Sequence, residues 1–162
     1  MAQSVRWIDS ARKAPIAGNY PIIKFLIIEN QKTINELADL SDQPFIAYSK
    51  IIVVVCSDDR NLENLYCERG KKYARQEAGA AIENFLLKIT DLGLSSCWIG
   101  AYSDELVKQL LKIPNHIEVE AILPVGYPKK EIKKSRKPSL ERCINWETWN
   151  NKKRVKFKDP RA

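Results

Sequence analysis

The longest regular pattern of apolar positions runs from Tyr73 to Asp91, where Ala78, Ile82, Phe85, Leu86 and Ile89 recur at helical spacing. Small residues at Gly79, Ala80 and Ala81 interrupt that face, so a second helix can pack closely against it. The period stops at Gly93, a residue suited to a left-handed helix cap, and Cys97-Trp98-Ile99-Gly100-Ala101 then reads as a short core strand ending in small residues. Upstream, Trp7 to Ala14 predicts a short helix with Ile8 and Ala11 on its apolar side, stopped by Pro15, and Ile22 to Ile28 predicts a strand. Thr33 to Leu40 carries a helical pattern opened by Thr33 and Glu36, which are spaced as a capping box. Ile51 to Cys56 is an unbroken β-branched run of the kind found in a strand covered on both faces. The charged stretch Arg60 to Lys72 fits either a loop or an early turn of the central helix. Ser103 is the expected cap of a helix lined by Leu106, Val107, Leu110 and Leu111 and ended by Pro114. Val119 to Val125 is the next strand, closed by Gly126-Tyr127-Pro128; after it come a basic loop, Glu131 to Pro138, a short helix from Ser139 through Trp146, and a polar basic tail at about 150–162. Alternating helices and strands argue an α+β, sandwich-like (α/β) fold with one central sheet flanked by helices, in a single domain spanning 1–162.

Composition narrows the class. With 162 residues, 44% hydrophobic and 9% aromatic, the chain is long enough to bury one sizeable core. The longest strong apolar run, Ile51 to Cys56, has strand length, and there is no secretory pattern, so the expectation is a cytoplasmic protein with no membrane partner. Cys56, Cys67, Cys97 and Cys143 are scattered, with only His116 to complete a metal site, and read as buried free thiols with no bound metal. The formal charge is +7, concentrated at Lys129 to Lys137 and Lys152 to Lys158. No nucleic-acid motif or interleaved aromatic platform accompanies it, so nucleic acid is not an expected partner; the basic residues suit a solvated surface or attraction of a phosphorylated cofactor.

Several linked stretches carry a resemblance. Ala80-Ala81-Ile82-Glu83-Asn84, Leu86-Leu87, Asp91-Leu92-Gly93-Leu94-Ser95-Ser96-Cys97-Trp98-Ile99-Gly100, Leu110-Leu111-Lys112-Ile113-Pro114 and Ala121 to Pro128 follow one another as in the central segment of the FMN-dependent nitroreductase family. The likeness runs from about Ile8 to Trp149 and is strongest after Tyr73.

The resemblance implies a nitroreductase-like fold and a homodimer that binds FMN between its subunits. It implies ping-pong transfer from NAD(P)H through FMN to an electron-poor small-molecule acceptor, with no dedicated catalytic side chain. Ile99, Gly100 and Ala101 would lie along the flavin with a backbone N–H toward N5, where small residues allow close approach. Pro15, Ile16, Ala17 and Asn19 resemble the A-P-S-x-x-N turn that reaches the neighbouring subunit's flavin. Lys134 and Arg136 match a late K-x-R motif able to hold the phosphate, with Lys133 and Lys137 as competitors. Asp42 and Gln43 fall near a ring-contacting segment, and Tyr66 and Cys67 either cover the flavin or pack. The chain departs from the family at Ile16, where serine is usual, and at Pro21-Ile22-Ile23, where Gln-Pro-Trp is usual. An arginine-rich amino-terminal segment is also missing; Ser4-Val5-Arg6 imitates it without taking its place, so the role does not pass to Arg6. The competing reading is a flavin-binding protein with little or no turnover, because those phosphate-binding arginines are absent.

Overall fold

The computed structural model describes residues 4–129 and 136–153. They fall into two compact units, 1–129 and 130–162.

In the first unit, four antiparallel strands, β1 (Ile23–Ile28), β2 (Ile51–Ser57), β3 (Ser95–Ser96) and β4 (Glu118–Gly126), form a sheet in the order β1-β2-β4-β3. β2 is the reason the sheet has two apolar faces. Its Ile52, Val54 and Cys56 point toward α2 (Gln31–Leu40) and α5 (Asp104–Leu111), packing with Ile34, Leu37 and Val107. Its Val53 and Val55 point the other way, toward α1 (Ser4–Ala11) and α4 (Glu68–Asp91), packing with Trp7, Ala81, Ile82 and Phe85. Alternation along the strand therefore makes a continuous hydrophobic run necessary, as its sequence predicts. On β4 the pairing shifts between Val55 and Cys56, whose partners are Ala121 and Val119, leaving Glu120 as the extra residue of a bulge. That extra residue flips the parity of the strand, so Val119 and Ile122 share one face although they are three positions apart.

The central helix starts earlier than its apolar period. The undecided stretch from Arg60 is α3 (Arg60–Tyr66), and a break at Cys67, with φ 51, separates it from α4. α4 buries Ala74, Glu77, Ala78, Ala81, Ile82, Phe85 and Ile89 on one stripe. It ends as its sequence predicts: Gly93 has φ 72, and the Leu94 N–H returns to the Ile89 carbonyl at 3.0 Å. The small-residue surface is partly covered from within the chain, since α1 packs on Ala81 and the Trp98 ring lies near Gly79, while Ala80 faces an open groove.

Several expectations need correcting. The cap of α2 is Asn30, whose side-chain oxygen accepts from Lys32 and Thr33 N–H at 3.0 and 3.2 Å; Thr33 lies inside the first turn. Ser103 precedes α5 but its side chain makes no capping bond, and Asp104 and Glu105 instead place negative charge at the positive end of the helix. Leu106 is 47% exposed rather than lining that helix's buried face. The segment Cys97 to Ala101 is not a core strand. β3 stops at Ser96, and only Ile99 rejoins the sheet, through a two-way bridge with Ile122, while Cys97 and Trp98 are exposed.

The second unit contains α6 (Leu140–Cys143), which ends three residues short of Trp146. The Lys152 ammonium donates to the Ile144 and Glu141 carbonyls at 2.9 and 3.1 Å and so closes the helix end.

Cysteine burial also differs from expectation, because Cys67, Cys97 and Cys143 are exposed and only Cys56 is buried. Burial, with the Glu120 carboxylate adding to it, pushes the Cys56 thiol up to about 11. Iodoacetamide at pH 8 is therefore expected to leave Cys56 unmodified in the folded protein and to alkylate it after unfolding, as read by mass mapping of the labelled peptides. Alkylation of Cys56 in the native state would contradict this packing.

Candidate functional site

Two segments of the first unit carry the residues singled out by sequence, and each is shaped by specific bonds. The first runs from Pro15 to Ile22, between α1 and β1. Pro15 prevents α1 from continuing, and a 3-10 turn over Ala17–Asn19 follows, with Gly18 at φ 58 and Asn19 at φ 59. Gly18 adopts this conformation freely, while Asn19 does so at a small cost. The segment is held by Glu77 of α4: its Oε2 accepts from the Ala17 N–H at 3.1 Å and its Oε1 from the Ile22 N–H at 3.3 Å. Glu77 is 5% exposed. Burial raises its pKa, and the two backbone N–H donors partly offset that rise.

Tyr66 closes the same segment from the α3 side. A methyl group at Gly18 would lie 2.8 Å from the Tyr66 hydroxyl oxygen, and Tyr66 meets Tyr73 edge-on with ring centres 5.2 Å apart. Tyr66 thus packs against Gly18 and Tyr73 while its ring remains partly exposed. Pro15, Ile16 and Ala17, with Tyr73, Gln76, Glu77 and Ala80 of α4, line an open groove of about 330 Å³. Asn19 follows them on the exposed end of the 3-10 turn.

The second segment is the turn Ile99–Tyr102. Ile99 N–H donates to the Ile122 carbonyl at 3.1 Å and its own carbonyl accepts from the Ile122 N–H at 3.0 Å. At the other end the Tyr102 hydroxyl donates to the Val119 carbonyl at 2.7 Å, and burial raises its pKa, so it stays a neutral donor. Pinned at both ends to β4, the turn leaves Gly100 and Ala101 exposed between them. A Cβ added at Gly100 would meet nothing within 4 Å. An exposed backbone with clear space beside it fits a flat ligand lying along the chain, which is what the resemblance requires of a flavin ring.

The remaining expected residues are placed separately. Lys134 and Lys133 lie outside the described residues. Arg136 belongs to the second unit, exposed, and lines an open depression of about 590 Å³ with Lys137, Pro138, Ser139 and Arg142. Asp42, with φ 49, and Gln43 lie between the end of α2 and the 3-10 turn Pro44–Tyr48. The structure thus gathers Pro15, Ile16 and Ala17 in one groove and sets Ile99, Gly100 and Ala101 on a different element, against β4. Among the described residues no group of His, Cys, Asp and Glu is arranged to hold a metal ion, and no helix is long and apolar enough to cross a membrane.

Glu77, Tyr102 and Arg142 escaped the reading of the sequence. Glu77 had a signal: a carboxylate on the stripe formed by Ala74, Ala78 and Ala81, where water is excluded and a charge needs partners. Tyr102 had none, because its bond to Val119 exists only once the turn is laid against β4.

Elsewhere in the unit, Glu120 at the bulge accepts from Ser57 and pairs with Arg75, which also reaches Glu118 at 3.9 Å. This joins α4 to the β2–β4 pair and holds the two segments' supporting elements in one frame.

Known proteins share this architecture. An Archaeoglobus fulgidus protein, provisionally named NADH dehydrogenase/NAD(P)H nitroreductase, is 29% identical over 129 residues, covering 76% of this chain and 71% of its own. A Methanocaldococcus jannaschii protein, provisionally named a nitroreductase, is 31% identical over 84 residues, which cover 52% of this chain and 41% of that relative. The chain therefore spans less than half of the second relative. The Vibrio harveyi NADPH:FMN oxidoreductase solved with NAD+ has the same fold, with a TM-score of 0.81 at 16% identity over 93% of this chain and 70% of that one. The match that decides the family covers residues 38–127, more than half of the chain, and runs from the end of α2 through the pinned Ile99–Tyr102 turn to the end of β4: the chain belongs to the nitroreductase family.

Proposed function

We propose that this protein is a cytoplasmic, homodimeric, FMN-dependent oxidoreductase that passes electrons from NAD(P)H to an electron-poor organic acceptor. The observation that carries the reading is the Ile99–Tyr102 turn, fastened to β4 at both ends and bare at Gly100–Ala101. Its backbone N–H groups are pre-placed, so a bound flavin's electron-rich edge gains donors with no reorganisation of the turn. FMN, when bound, supplies the electron transfer itself. Pro15, Ile16, Ala17 and Asn19 would wall the flavin of the second copy, with Ile16 an apolar contact in place of a hydroxyl. Lys134 and Arg136 would take the phosphate, Arg136 through its forked donors. Family membership and the fold shared with an FMN oxidoreductase solved with NAD+ support this reading.

The test is spectroscopic. Purified protein loaded with FMN is expected to show a flavin band that bleaches anaerobically on adding NADH or NADPH and to elute as a dimer. A band that does not bleach supports a flavin binder without turnover; no band at all refutes the proposal. In the same assay, Lys134→Ala combined with Arg136→Ala is expected to weaken FMN binding roughly 10- to 100-fold, because two charge-assisted contacts to the phosphate are lost. Unchanged affinity would remove these residues from the phosphate site.

A further inference from the structure

The Pro15–Ile22 segment forms its own 3-10 turn, but it is tied to the rest of the fold by one side chain of α4, sixty positions from Ala17. We propose that Glu77 is the positioning residue of this segment, keeping Pro15, Ile16, Ala17 and Asn19 in the arrangement that presents them to a ligand. The proposal rests on the flavin reading above.

The argument begins with donors. Between Pro15 and Pro21 the chain has no sheet partner, and the Ala17 and Ile22 N–H groups point toward α4. Each takes one oxygen of the Glu77 carboxylate, at 3.1 and 3.3 Å. The Ile22 carbonyl is used separately, accepting from the Asp58 N–H at 3.1 Å, so the carboxylate grips the segment at its middle and at its junction with β1. A single carboxylate accepting at both oxygens does what no apolar or single-acceptor side chain can do at this position.

Next comes strain. Gly18 enters the left-handed region freely, whereas Asn19 is there at a small cost that neighbouring bonds must offset. The Tyr66 ring lies beside Gly18, leaving no room for a side chain there, and packs edge-on against Tyr73, one turn before Glu77 on α4. Glu77 and the Tyr66–Tyr73 pair thus both hold the segment against α4, and Ile16 and Ala17 line the groove beside Glu77. Position 77 also belongs to the buried stripe of α4, where a carboxylate is costly unless its bonds are used.

The experiment follows amide exchange by NMR in the cofactor-free protein and FMN affinity by flavin fluorescence, in wild type, Glu77→Ala and Glu77→Gln. In Glu77→Ala, protection of the Ala17 and Ile22 amides is expected to fall at least roughly tenfold while Val53 and Val54 of β2 keep theirs, and FMN binding to weaken by a similar factor. Glu77→Gln keeps the volume but offers one acceptor oxygen, so it should free one amide, retain the other and fall between the two in affinity. If Glu77→Ala fails to fold, Glu77→Gln decides alone. Unchanged protection at both amides overturns the clamp. Lost protection with unchanged FMN affinity overturns the positioning role. Wild-type protein that shows both amides protected yet takes up no FMN overturns the flavin reading and, with it, the ligand role of this residue.

Discussion

Phe85→Ala is expected to destabilise the protein by about 3–5 kcal/mol, measured as a lower urea midpoint at unchanged slope. Phe85 is fully buried at the centre of the α1/α4 face of the sheet. Its ring meets Trp7 edge-on with centres 6.1 Å apart, so truncation loses the aromatic contact as well as the transfer of the ring from water. The cavity is bounded by β2, β4 and the two helices, and the sheet cannot collapse into it without breaking its own ladder. Phe85→Leu, which keeps most of the volume, is expected to cost only about 1–1.5 kcal/mol. A loss below about 1 kcal/mol for the alanine variant would show that this face is loosely packed.

Gly70→Ala tests the molecule where local preference and tertiary contact have opposite signs. In an unobstructed helix interior the change would stabilise by about 1 kcal/mol, since glycine is the poorer helix former. Here the added Cβ would lie 2.4 Å from the Leu62 carbonyl carbon and oxygen and 2.5 Å from the Glu63 nitrogen, all backbone atoms of α3. Nothing in that contact can rotate aside, so α3 must move off α4, and the expected result is a loss of about 3 kcal/mol. Near-UV circular dichroism should weaken in parallel, because α3 carries Tyr66 and α4 carries Tyr73, and their rings pack only when the helices are in contact. A stabilised Gly70→Ala variant would mean that the close approach of α3 and α4 is wrong.

Much of the scaffold was legible along the chain, and the exceptions have physical causes. β2 was readable because a strand buried on both faces leaves no polar position. α4 was readable because Ala78, Ile82, Phe85 and Ile89 repeat at the helical period and Gly93 stops it. The start of α2 was misplaced because Asn30 and Thr33 are both good caps, and a pattern that marks the end of a helix does not say which oxygen reaches the free N–H groups. The Cys97–Ala101 run looked like a strand because it is apolar, yet the sheet engages only Ile99 there. The cysteines looked buried because that residue type usually is, whereas three of the four fall on exposed turns or helix ends.

The candidate site divides along the same line. Its candidate residues come from motif order, which is linear information, and the turn at Gly100–Ala101 is exposed, with open space beside Gly100. What holds the two segments was not legible: Tyr102 bonds Val119 across 17 positions, and Glu77 bonds Ala17 across 60. On its own the amino-acid sequence determined most of the scaffold (α1, β1, α2, β2, α4, α5 and β4), the two-faced burial of β2 and the family motifs, because periodicity records which side of each element avoids water. Only the tertiary structure decided the parity switch at Glu120, the closeness of α3 to Gly70 and the grip of Glu77 on the Pro15–Ile22 segment. Those features depend on where distant backbone groups come to rest once the chain has closed, and no local pattern encodes that distance.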